Sequence, residues 1–172
     1  MVRLLPLFAA LVLPSIALAA APPPSGPAGP AITAYMRGTK IPCYTQSGEG
    51  RCSIASLAED TSVFYGKPDP LAEIAVVFVT YQYDATGNAM DQMAIVLRKE
   101  GDKWLPVGRA NRTVGTEPRD VRFSPGAITY TGTIAREGDS RADPTGKATF
   151  HLVIGAKGIV FGEGEPPPAP NR

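Results

Sequence analysis

One histidine, His151, and two cysteines, Cys43 and Cys52, leave this 172-residue sequence short of the side chains on which most catalytic sites are built. A single imidazole excludes zinc sites made of paired histidines and relays of histidines. No G-x-S-x-G elbow is present, and no glycine-rich loop ends in Lys-Ser or Lys-Thr, so a serine hydrolase of that type and a P-loop nucleotide binder are both excluded. Excess charge is missing too. Seventeen Lys and Arg stand against 16 Asp and Glu, and the signs alternate closely, as along Arg98, Lys99, Glu100, Asp102 and Lys103. Nucleic acid is therefore not the expected partner, because phosphate binding needs clustered cations that release counterions.

The N-terminus holds an export leader: one charge at Arg3, an apolar run from Leu4 to Leu18, then small residues at Ala17, Ala19, Ala20 and Ala21. The run is shorter than the about 20 residues a bilayer demands, and Pro6 and Pro14 interrupt it, so no membrane anchor is expected. Ala17-Leu18-Ala19 is the best cleavage site, giving a leader over 1–19 and a periplasmic or secreted product. Loss of Arg3 with the leader leaves basic and acidic groups equal in number.

In that oxidising compartment Cys43 and Cys52 are expected to form a disulfide. Ser47, Gly48, Glu49 and Gly50 between them are turn residues, and closing so short a loop stabilises a fold by roughly 2.5 to 3 kcal/mol. The spacing is not C-x-x-C, which argues against a reactive dithiol.

Proline-rich segments at 20–30 and 163–172 read as a linker and a disordered tail, leaving one domain over 31–162. Within it the apolar period is mostly two. Ala72 to Tyr83 has apolar residues on both sides and reads as a central strand. Gln92 to Lys99, Lys103 to Gly108, Val121 to Phe123, Ala127 to Ala135, Thr149 to Ile154 and Ile159 to Phe161 follow as strands, with Arg109 to Asp120 as a long polar connection. Ile32 to Arg37 and Ser53 to Asp60 are the helix candidates. The expected fold is α+β tending to all-β: a single antiparallel, strongly twisted meander with one or two short helices.

Two groups of residues are candidates for ligand binding. Alternation places Thr129, Thr131, Thr133, Thr149 and His151 on the wet face of two strands. Arg109, Asn111 and Arg112, before Gly115, have the composition to grip a carboxylate or phosphate, with Arg119 and Arg122 extending the patch. His151, expected as an exposed strand histidine, would need Asp139 or Asp143 to serve a hydrolase or isomerase. Asp84, Asn88 and Asp91, or Glu137, Asp139 and Asp143, supply oxygens for calcium without the order of a calcium loop. No catalytic set, cofactor or metal site is expected.

The stretches Glu73-Ile-Ala-Val-Val77, Ala94 to Gly108, Val121 to Ile128 and Gly138 to Thr145 resemble a set of small exported bacterial proteins of unassigned function, over about residues 70–154. The resemblance implies an exported β-rich domain and carries over no catalytic residue. Where those relatives have a Cys-Cys pair before Pro-Thr, this chain has Ala142-Asp143, which implies a looser loop. The expectation is thus a soluble, non-catalytic binding or interaction domain whose partner is an envelope protein or a small ligand. The alternatives are a His151-based hydrolase or isomerase and a calcium-dependent module.

Overall fold

The computed structural model describes residues 24–69, 72–84, 90–140 and 143–166. Along the chain run α1 (Gly29–Gly38), β1 (Lys40–Thr45), β2 (Gly48–Ser53), α2 (Ile54–Leu57), β3 (Ala58–Asp69), β4 (Ala72–Gln82), β5 (Met90–Glu100), β6 (Lys103–Thr113), β7 (Thr116–Ser124), β8 (Ala127–Ile134), β9 (Gly146–Gly155) and β10 (Gly158–Glu163). All strand pairs are antiparallel, and they form three sheets: the hairpin β1–β2, a first meander β3-β4-β5-β6 and a second meander β7-β8-β9-β10.

The six residues Ile74 to Val79 are all buried, because β4 is covered on both faces. Val77 and Val79, with Met93, Ile95 and Leu97 of β5, pack beneath Ile32 and Met36 of α1, Ile41 of β1 and Ile54 of α2. Val76 and Phe78, with Ala94 and Val96, pack against Ile128, Tyr130, Phe150 and Leu152 of the second meander. Each such side chain contributes about 1.5–3 kcal/mol of hydrophobic stabilisation, so the first meander is the middle of three layers and carries most of the core.

The single sheet expected from the sequence is thus replaced by two stacked meanders and a hairpin, which do not curl strongly. The supposed loop Arg109 to Asp120 is strand for most of its length: β6 continues to Thr113 and β7 begins at Thr116. The chain changes sheet at Val114-Gly115, and at Gly115 a side chain would clash. Gly115 has φ 84°, and a β carbon there would lie 2.7 Å from the Phe150 ring.

The expected helix Ser53 to Asp60 shrinks to Ile54–Leu57, capped by the Ser53 hydroxyl accepting from the Ser56 N–H at 3.2 Å. From Ala58 the chain runs instead as β3, pairing with β4 along its length. The first helix starts earlier than expected, at Gly29, with Pro30 in its opening turn. Residues 24–30 therefore lie on the domain: Ala28 is fully buried, and the Tyr65 hydroxyl accepts from Ala28 N–H and donates to Ser25 O. At the other end Glu163 belongs to β10, and Gly164 N–H donates to Thr149 O at 2.8 Å. The leader, residues 20–23, Asn88, Ala142 and residues 167–172 lie outside the described residues.

Candidate functional site

Cys43 and Cys52 are joined in a disulfide, which ties β1 to β2 diagonally, since Cys43 lies opposite Gly50 and Cys52 opposite Ile41. Tyr44 N–H donates to Tyr83 O at 2.8 Å at the end of β4.

The threonine row assembles in register. Thr129 lies opposite His151, Thr131 opposite Thr149 and Thr133 opposite Lys147, with Arg122 beside Thr129 and Arg119 beside Thr131. These residues share the outer face of the second meander, as alternation requires, but they are not equally available. Thr133 is buried, accepts from Arg119 Nη1 at 3.1 Å and donates to Glu117 Oε2 at 3.2 Å. His151 is buried rather than exposed. Its Nδ1–H donates to Gly164 O at 2.9 Å, and a β carbon at Gly162 would lie 2.5 Å from its Nε2, so the ring lies flat on the last strand.

Neither Asp139 nor Asp143 hydrogen-bonds to His151 among the described residues. Asp139 Oδ2 accepts from the Arg136 and Thr145 N–H groups, both at 2.8 Å, and Oδ1 accepts from the Thr145 hydroxyl at 3.0 Å. Those backbone donors, Thr145 foremost, hold its carboxyl below the usual aspartate range. The loop thus consumes the carboxylate that a proton relay or a calcium ion would need. Asp143 N–H donates to the Ser140 hydroxyl oxygen at 3.1 Å. Among the described residues no three His, Cys, Asp or Glu side chains gather in a metal-holding group. An open groove of about 460 Å³ runs along α1 between Pro24, Pro30, Thr33 and Arg37, with no carboxylate, imidazole or thiol in its lining.

Arg109 and Arg112 are not in a loop with Arg119 and Arg122; the two pairs fall on different sheets. The first pair lies instead among tyrosines, where β4 ends, β5 begins and β6 ends. Tyr81 is paired with Asp91 across the sheet. Arg112 Nε–H donates to Asp91 Oδ2 at 2.8 Å, and the Arg112 side chain is 75% exposed while that of Asp91 is only 16%. This bond holds the guanidinium even more firmly protonated than usual. Arg109 Nε–H donates to Asn111 Oδ1, and its Nη1 reaches the Tyr35 hydroxyl of α1 at 3.5 Å. The Tyr81 hydroxyl donates to Asn111 O at 3.4 Å; burial first, and then the Asp91 charge, push its pKa up.

Tyr44, 49% exposed, adjoins Tyr83 of this cluster, its N–H donating to Tyr83 O, and its hydroxyl donates to Glu49 Oε1 at 3.2 Å. Tyr35, Tyr44, Tyr81, Tyr83 and Asp91 were not among the residues singled out from the sequence as partners of Arg109 and Arg112. The available signal was Tyr81-Gln82-Tyr83, two tyrosines two apart and so on one face at the end of an apolar strand. Comparison of the chain with protein-family models, curated proteins and solved structures gives no match.

Proposed function

We propose that this protein is an exported, non-catalytic binding module of the periplasm or extracellular space that engages an envelope protein through its tyrosine–arginine surface. The observation that carries the reading is the placement of Arg109 and Arg112 beside Tyr35, Tyr81 and Tyr83, with the exposed Tyr44 next to Tyr83. Tyrosine and arginine are the side chains over-represented at protein interfaces and among their energetic centres. Anchored as they are, these side chains lose little conformational freedom on binding, which favours affinity.

Export rests on the leader sequence and accords with the Cys43–Cys52 bridge. No helix among the described residues is long and apolar enough to cross a membrane. Against the hydrolase or isomerase alternative stands the setting of His151, which is buried with its Nε2 against Gly162 and has no carboxylate hydrogen-bonded to it among the described residues. The threonine face is the weaker binding candidate, because its histidine and Thr133 are enclosed.

The test is recovery of partners from an envelope fraction with tagged, exported protein, comparing wild type, His151→Ala and Tyr44→Ala. The reading expects a mature N-terminus at Ala20, a partner common to wild type and His151→Ala, and its loss from Tyr44→Ala. Recovery that ignores Tyr44 but vanishes with His151→Ala would contradict it.

A further inference from the structure

We infer that the C-terminal segment 167–172 docks as a strap across the outer threonine face of the second meander, with its terminal carboxylate on Arg122. The occupant of that face is thus the chain's own end. This goes beyond the binding-module reading and does not depend on the tyrosine–arginine surface.

The described chain end is already turned that way. Thr129, Thr131, Thr149 and His151 share the outer face, whereas α1, α2 and the β1–β2 hairpin pack on the first meander. His151 is buried there because the chain end lies against it: Gly162 is its register partner, and Gly164 O accepts from its Nδ1–H at 2.9 Å. Since the ring stands on the outer face, this bond draws the chain end onto that face. The φ of 82° at Gly164 permits the turn, and Gly164 N–H donates to Thr149 O beside it. Pro166, the last described residue, is half-buried.

Reach and path agree. From β10 to β7 is three strand spacings of about 4.8 Å, about 14 Å in all. Six residues follow Pro166, and at roughly 3.1 Å per residue in the polyproline form they extend about 19 Å. The row that starts at Gly164 continues through Thr149 and Thr131 to Arg119, and Arg122 lies beside Thr129 in the adjacent row.

The hydrogen-bonding groups are complementary. The hydroxyls of Thr129, Thr131 and Thr149 have no partner among the described residues, and neither has the exposed Arg122 guanidinium. Pro167, Pro168 and Pro170 have the opposite need, since each carries a carbonyl acceptor and no N–H. A chain preset in the polyproline form also loses little entropy on docking. Charge matches as well. Glu117 engages Arg119 at 3.6 Å, while Arg122, Asp120 and Lys147 have no ion-pair partner among the described residues. Arg172 brings a carboxylate for Arg122 and a guanidinium for Asp120, both on β7, while Lys147 lies at the exit end with Glu163 and Glu165.

The test uses the full mature chain labelled with ¹³C and ¹⁵N. NOEs from the Ala169 methyl to the Thr131 and Thr149 methyls, unchanged on dilution, are the expected result. Pro167→Gly, Pro168→Gly and Pro170→Gly made together in the full-length chain should abolish those NOEs and shift the Arg122 Nε–H signal. The Ile95 and Tyr81 amides of the first meander should stay in place. Arg122→Gln should weaken docking several-fold, read as lost NOE intensity, because a charge-assisted hydrogen bond is removed.

A chain end with no NOE to the sheet would overturn the inference, as would an Arg122 signal indifferent to the proline substitutions or undiminished NOEs in Arg122→Gln. NOEs that vanish on dilution would assign the strap to a second copy and refute docking within the chain.

Discussion

Replacing Phe78 with alanine asks whether the two meanders are one body. Phe78 is 2% exposed and stands between the sheets, its ring 4.5 Å from that of Tyr130 on β8 and edge-on to Phe64 at 6.1 Å. Truncating a buried phenylalanine costs about 3–5 kcal/mol when the cavity cannot collapse, and here the neighbours are rings fixed in strands. For a domain of this size each kcal/mol lowers Tm by roughly 2–5 °C, so a fall on the order of 10 °C or more is expected. Ile95→Ala, on the opposite face of the same meander beneath α1, should cost about 2–5 kcal/mol as well, because that sheet is covered on both sides. Differential scanning calorimetry on the mature protein gives both shifts. The control is Val160→Ala, 62% exposed on the last strand, expected within about 0.5 kcal/mol of wild type. Should Phe78→Ala melt with that control while Ile95→Ala falls, the second meander would not rest on the first, and the two-sheet core would be refuted.

Other outcomes follow from local geometry. Reducing or deleting the Cys43–Cys52 bridge should lower stability by roughly 2.5 to 3 kcal/mol in urea titration, the loop-closure value for so short a span, and loosen Tyr44 with its hairpin. Gly162→Ala should be destabilised by about 1–3 kcal/mol, since its new methyl group meets His151, and His151→Ala should largely relieve that loss in a double-mutant cycle read by thermal melting. Asp139 titrates below its ordinary 3.8, so its contribution to stability is complete above that pH and is lost as pH falls through the lower folded value; Asp139→Asn should flatten the acid limb of a stability–pH curve.

Strand existence was readable wherever the apolar pattern was strong. Ala72 to Tyr83 matches β4 within one residue, and its double-sided apolar character matches its place in the middle layer. The gathering of Thr129, Thr131, Thr133, Thr149 and His151 on one sheet face also follows from local chemistry, because alternation depends only on neighbours in sequence, whereas the burial of Thr133 and His151 does not. What failed was non-local. Ala55, Leu57 and Ala58 suit a helix, yet from Ala58 the chain gains more by pairing with β4 than by winding further. Arg109 to Asp120, with Gly115, Pro118 and five ionisable side chains, has the composition of a loop, and only its position between two stacked sheets makes it strand. The positive φ at Glu117 and Asp120 marks the bulges that accommodate those residues. The same limit hid the tyrosine–arginine cluster. Tyr35, Tyr44, Tyr81 and Arg109 come from four separate elements, and no spacing in the sequence joins them.

The most direct trial of the central claim is site-resolved photocrosslinking of the exported protein in intact envelopes. A photoreactive residue is placed at Tyr44, beside Tyr83, or at Thr131, on the outer threonine face. A partner adduct formed from position 44 and not from Thr131 is the predicted result. An adduct from Thr131 alone would contradict the account.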